Sequence, residues 1–172
     1  MKVYLAGGMK SNWQDFIRNY PGLDDVSWLD PRKHGCKALA EYTTADAAGI
    51  DSCDVLVVFL EEANPGGYNL AWEMGYASSK GKTIVCGLEK PRKYFTMPIE
   101  KSDVVYYGDT ALQSLADYLV ALKAMIEGEK TPVLNYDIYW NNQEHIPPTV
   151  DPNSDPTWPT YIQPPIYSGS GE

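Results

Sequence analysis

The segment from Asp54 to Lys82 limits the folds open to this chain more than any other. Val55-Leu56-Val57-Val58-Phe59-Leu60 is an unbroken run of six apolar residues. A strand with one solvated face alternates, so a run without alternation predicts a strand covered on both faces, as in a parallel sheet. Asn64-Pro65-Gly66-Gly67 then breaks the chain. Tyr68 to Ala77 reads as a helix, closed by Lys80 and a C-cap Gly81, and Thr83-Ile84-Val85-Cys86 starts the next strand. The whole is a βαβ unit. In open sheets built from such units, ligands gather beyond the carboxyl ends of the strands. Glu73 lies in the early part of the helix, where the positive end of the helix dipole is expected to keep a carboxylate ionised. The plain alternative is a solvated helical Glu, and this segment alone leaves both readings open.

At 172 residues with 44% apolar content, the chain suits one domain with a sizeable core. No apolar run approaches the roughly 18 residues that span a membrane, and the first residues enter a strand with no signal-peptide pattern. The expected location is the cytoplasm. A net charge of −9 argues against a nucleic-acid polymer as partner, because neutralising phosphates takes clustered Lys and Arg. A small nucleoside or nucleotide is compatible, since a local site can oppose the global charge. Cys36, Cys53 and Cys86 have no metal-ligand spacing and read as reduced structural thiols. His34 and His145 lie in no metal motif and are expected at the surface. No metal or cofactor is anticipated.

In chain order, Lys2 to Ala6 is a first strand followed by Gly7-Gly8, where glycine lets backbone N–H groups approach a ligand. That places Gly7, Gly8 and Met9 among the candidate substrate-binding residues. Ser11 or Asn12 caps a helix to Tyr20, with Trp13, Phe16, Ile17 and Tyr20 on one face. Val26 to Leu29 is a second strand, stopped by Asp30-Pro31. Asp30 there is either a ligand group or the cap of a turn. A second helix covers Ala38 to about Ile50, with Asp46 and Ile50 on a shared face. Pro91 to Pro98 reads as a loop and Asp103 to Tyr107 as a fifth strand. In the helix from Thr110 to Ile126, Leu112, Leu115, Ala116, Leu119, Leu122 and Ile126 trace an apolar face. The chain therefore divides into an α/β domain, 1–128, and a tail, 129–172. The tail holds eight of the 13 prolines and six large aromatics, among them Trp140 and Trp158. It reads as an extended strap laid across its own subunit or a neighbour.

Three pieces stand together: Val3-Tyr4-Leu5-Ala6-Gly7-Gly8, Ala45 to Asp54, and Trp72-Glu73-Met74-Gly75-Tyr76-Ala77 with Gly81-Lys82. Their order and spacing resemble the nucleoside 2-deoxyribosyltransferase family, including its nucleotide N-glycosidase relatives, over roughly residues 2 to 125. The resemblance implies a flavodoxin-like, doubly wound sheet of five parallel strands. It implies cleavage of the N-glycosidic bond of a 2′-deoxynucleoside through a covalent deoxyribosyl-enzyme intermediate. Glu73 matches the family's nucleophile, Tyr4 a tyrosine that hydrogen-bonds it, and Asp46 an aspartate that faces the base and handles its proton. A homo-oligomer whose sites are completed by a neighbouring subunit is also implied. Two departures matter. The family's transferases often carry an acidic residue where this chain has Gly67, so base recognition falls to other groups, Asn69 or the tail. Where they offer an asparagine after the fourth strand, this chain has Ser102-Asp103.

The chemistry fits those residue types. Breaking the C1′–N bond develops positive charge on the sugar, which a carboxylate opposite the base stabilises and then traps. The base leaves poorly as an anion, so a protonated carboxyl beside its ring nitrogen helps. Asp46 needs a raised pKa for that, through burial or a neighbouring carboxylate. Sugar transfer to a second base is the expected reaction. Hydrolysis of a deoxynucleoside 5′-monophosphate is the alternative, with Lys10, Ser11 and the Gly7-Gly8 backbone holding the phosphate. A non-catalytic nucleotide-binding module on the same fold is the third reading.

Overall fold

The computed structural model describes residues 1–63, 67–90 and 95–128, so the expected strap, 129–172, and His145 lie outside the described residues. Five strands form one parallel sheet: β1 (Lys2–Gly7), β2 (Ser27–Leu29), β3 (Val55–Leu60), β4 (Thr83–Leu88) and β5 (Val104–Tyr107), in the order β2-β1-β3-β4-β5. The helices are α1 (Trp13–Arg18), α2 (Leu39–Ser52), α3 (Tyr68–Ser79), α4 (Thr96–Glu100) and α5 (Ala111–Ile126). This is the doubly wound arrangement expected.

β3 occupies the centre because it is apolar on both faces. Val55, Val57 and Phe59 pack toward α1 and α5 with Trp13, Ile17, Leu115 and Leu119. Leu56, Val58 and Leu60 pack toward α2, α3 and α4 with Ile50, Leu70, Met74 and Ile99. The period of two along a strand assigns alternate residues to the two layers. Tyr4 faces the second layer and is 1% exposed.

α3 ends as its sequence indicates. Gly81 sits at φ 65°, its N–H reaches Ser78 O at 3.1 Å, and Lys82 N–H reaches Ala77 O at 3.0 Å. These are the paired bonds of a Schellman ending, which needs the left-handed conformation that glycine adopts without strain.

The departures from expectation have local causes. Phe16 is exposed and rests on Tyr20, because a six-residue α1 buries only Trp13, Gln14 and Ile17. Ile126 is exposed where α5 runs past the edge of the core. α4 begins inside the segment expected as loop and runs two residues past it, and it forms because Phe95 and Ile99 bury apolar surface against the α3 layer.

One glycine links the fold to the site. A Cβ on Gly49 of α2 would lie 2.5 Å from Cε2 of Tyr4. Gly49→Ala is expected to destabilise the protein by about 1–2 kcal/mol, the overpacking of a buried ring outweighing the better helix propensity of Ala. Urea unfolding of the two proteins measures it, and an equal or higher midpoint for the variant would show that Tyr4 shifts freely.

Candidate active site

Tyr4 projects from the middle of β1 between α2 and α3. Its hydroxyl lies 2.8 Å from Asp46 Oδ1 and 3.4 Å from Glu73 Oε1. A phenol carries one proton to donate, and the shorter contact is to Asp46. Burial, and then the charge of Glu73, push the phenol far above its ordinary pKa, so it stays protonated and able to donate.

Glu73 is 9% exposed and is the sixth residue of α3. The dipole of a helix acts mainly within its first turn, so Glu73 gains little from it. The expectation of an ionised carboxylate held by the dipole is corrected here. Burial, and then the proximity of Asp46, push the Glu73 carboxyl up to about 8, against a smaller opposing pull from the Tyr4 hydroxyl. Two carboxyls on either side of one phenol thus compete for charge, and Glu73 is the one the surroundings push toward the neutral form.

His34, expected at the surface, lies at this cluster. Its Nε2 is 3.1 Å from Asp46 Oδ1, and each side chain is about one-fifth exposed. Its Nδ1 is buried without a partner among the described residues, and the ring meets the face of Tyr42 edge-on. A short 3-10 turn, Pro31–Lys33, delivers it. Asp30 caps that turn, accepting from Arg32 N at 3.0 Å and from the Arg32 guanidinium at 2.7 Å. Arg32 also reaches Asp15 of α1 at 2.8 Å. Of the two readings of Asp30, capping is what the geometry displays, with the carboxylate engaged by arginine. A turn after β2 must cross the carboxyl edge of the sheet, and that was the signal in the sequence for His34.

The other expected residues are spread around the rim. Gly7 has φ 146°, and a Cβ there would meet Phe59 O at 2.2 Å, so only glycine fits. Gly8 turns its carbonyl inward to Trp13 Nε1 and Gln14 Nε2, both at 2.7 Å. Met9 is 56% exposed. Asn69 is exposed on the first turn of α3, and Gly67 packs beside the Phe95 ring. Ser102 and Asp103 bond to Pro98 O and to the backbone of Ile84, which builds the approach to β5. Among the described residues no group of three or more His, Cys, Asp or Glu could hold a metal ion, and no helix is long and apolar enough to cross a membrane.

A family model described as nucleoside 2-deoxyribosyltransferase like matches residues 1–90, which include Tyr4, Asp46 and Glu73. Among solved structures, a 2-deoxyribosyltransferase from Bacillus psychrosaccharolyticus is 17% identical with a TM-score of 0.53, covering 69% of this chain and 92% of that one. A CMP N-glycosidase from Clostridium botulinum is 20% identical with a TM-score of 0.51, covering 69% of this chain and 98% of that one. At these identities the likeness is one of fold. Comparison with curated proteins finds no match.

The buried carboxyl makes stability depend on pH. Glu73 sits at about 8 in the folded chain against 4.5 for an ordinary Glu, so the folded state holds the proton more tightly. Its contribution is complete below the unfolded value and is lost as pH rises through the folded one. Glu73→Gln should therefore gain stability relative to wild type on going from about pH 5 to about pH 9, on the order of a few kcal/mol. Urea unfolding at both values tests this, and a constant difference between the two proteins would mean that Glu73 is not held neutral.

Proposed function

As the chain belongs to the nucleoside 2-deoxyribosyltransferase-like family, we propose that it cleaves the N-glycosidic bond of a 2′-deoxynucleoside and passes the sugar to a second nucleobase. The observation that carries this reading is the Tyr4 hydroxyl set between Asp46 and Glu73. Displacement at C1′ needs an ionised Glu73 and a proton for the base, so the proton that burial favours on Glu73 passes to Asp46 across the Tyr4 hydroxyl before attack. In the first half-reaction Glu73 attacks C1′ and the C1′–N bond breaks. The bonding pair leaves with the base, which takes a proton from Asp46. In the second half, a ring nitrogen of the incoming base attacks C1′, releases its proton to Asp46 and frees Glu73. Two displacements give net retention. Water in place of the second base gives hydrolysis.

In this reading Tyr4 links the two carboxyls through its one hydroxyl, and His34 holds Asp46 by one oxygen. Gly67 leaves room beside Phe95 where an acidic side chain would otherwise approach the base.

Incubation with deoxynucleosides, with and without a second base, followed by chromatography of the products, tests the reaction directly. Glu73→Ala should lower turnover by at least about a thousandfold, the scale expected when a covalent nucleophile is lost. Activity within about tenfold of wild type, a difference of about 1.4 kcal/mol, removes Glu73 from the mechanism. Ligand binding that survives the change with no base ever released would instead identify a binding module. Asp46→Asn keeps the shape but cannot donate a carboxyl proton. It should slow natural substrates far more than one with an activated leaving group, and equal slowing would make Asp46 a binding residue only.

A further inference from the structure

The outer face of α3 carries a feature that the reaction above does not use. Tyr68, Trp72 and Tyr76 recur every four residues, so they form one ridge along the helix. The Trp72 and Tyr76 rings stack at 5.3 Å with planes 8° apart, and the Lys80 ammonium lies 4.9 Å from the centre of the Tyr76 ring. Asp51 of α2 holds both Lys80 and the Tyr76 hydroxyl, so the ridge is ordered before anything touches it. Yet Tyr68 is 92% exposed and Trp72 45% exposed. Beside them Gly75 is exposed, and a Cβ there would meet nothing within 4 Å. Glycine inside a helix is destabilising relative to alanine, and among the described residues no neighbour requires it at this position. An ordered aromatic ridge beside a bare stretch of helix backbone is a surface shaped for another segment to lie against.

We propose that this ridge is the docking site of the chain's own proline-rich segment, residues 147–165. That segment holds seven of the 13 prolines, with Trp158 and Tyr161 and no Lys or Arg. Proline has no N–H and interrupts helices and sheets, so such a segment is best covered by a surface that asks for no backbone ladder. Proline-rich chain favours an extended left-handed helix, and surfaces lined by aromatic rings accept its pyrrolidine rings. Pro156-Thr157-Trp158-Pro159 has the Pro-x-x-Pro spacing, which covers about 9 Å in that conformation. Tyr68 to Tyr76 covers about 12 Å of helix, so both prolines fit on the one ridge.

Reach permits docking on the same subunit. α5 returns from the carboxyl end of β5, so Gly128, just past its end, lies toward the amino edge of the parallel sheet. α3 returns from β3 in the same direction, and Lys80 at the foot of the ridge lies toward that edge too. Residues 129–146 can extend over roughly 60 Å, about twice the width of a small domain. Covering Tyr68 and Trp72 together with the apolar rings of the segment is favourable.

Chymotrypsin reports the docking in the full-length chain, because Tyr161 lies inside the segment and cleavage after it needs the segment free. Replacing both aromatics, Tyr68→Ser with Trp72→Ser, should speed that cut by at least about tenfold, since cleavage follows the population of the open form. Gly75→Arg should speed it as well. The arginine fills the bare stretch while improving helix propensity, so faster cleavage there does not come from a weakened α3. An unchanged rate in either variant overturns the proposal. A photoreactive benzoyl-phenylalanine placed at Tyr68, in an otherwise wild-type chain, identifies the occupant. Peptide mapping should find it joined to residues 147–165, in a product with the mass of one chain. Joining to a second copy, whether to its helices or to its tail, makes the ridge a subunit interface and overturns the proposal, as does the absence of any cross-link.

Discussion

A single phenolic hydroxyl ties together three elements that the chain brings from distant places. Tyr4 is 42 residues from Asp46 and 69 from Glu73, and its ring can reach both because α2 carries glycine where the ring lies flat against it. Burial keeps the phenol protonated and keeps water from Glu73, while Asp46 stays about one-fifth exposed. The orientation of Asp46 and the seating of α2 on the sheet thus share this contact, while the Glu73 carboxyl is pushed up first by burial and then by Asp46.

Asp30, Arg32, Asp15 and Arg18 form a network in which Arg32 joins the turn after β2 to α1. Exposed pairs of this kind contribute little to stability. Asp30, however, is 8% exposed and holds the turn that carries His34. Its carboxylate is engaged in placing another residue.

Much of the architecture was legible because apolar periodicity reports directly on burial. The bounds of β3 coincide with the apolar run Val55 to Leu60, and Gly81 marked the end of α3. Assembly of the site was not legible in that way. Nothing in composition brings Tyr4, Asp46 and Glu73 together, and only the resemblance in motif order pointed to their meeting. His34 was misjudged because a lone histidine carries no periodic signal, and its burial comes from a three-residue turn. The burial of Glu61 carries no periodic signal either, since it comes from the backbone N–H groups of Lys10 and Ser11 in the turn after β1. The state of Glu73 was misread because position in a helix says nothing of how much water reaches the side chain.

The ending of α3 has a mechanical consequence. Lys82, carried past the helix by Gly81, places its ammonium on the carbonyls of Asp51 at 2.9 Å and Cys53 at 2.7 Å, at the last turn of α2. Asp51 is further held by Lys80 and by the Tyr76 hydroxyl. The two helices that bear Asp46 and Glu73 are therefore riveted at their rear ends, while their front ends, at Leu39 and Tyr68, stand exposed. The spacing of the two helices is thus pinned at the ends remote from the carboxyl edge of the sheet, and Asp46 and Glu73 stand about midway between the pinned and the exposed ends.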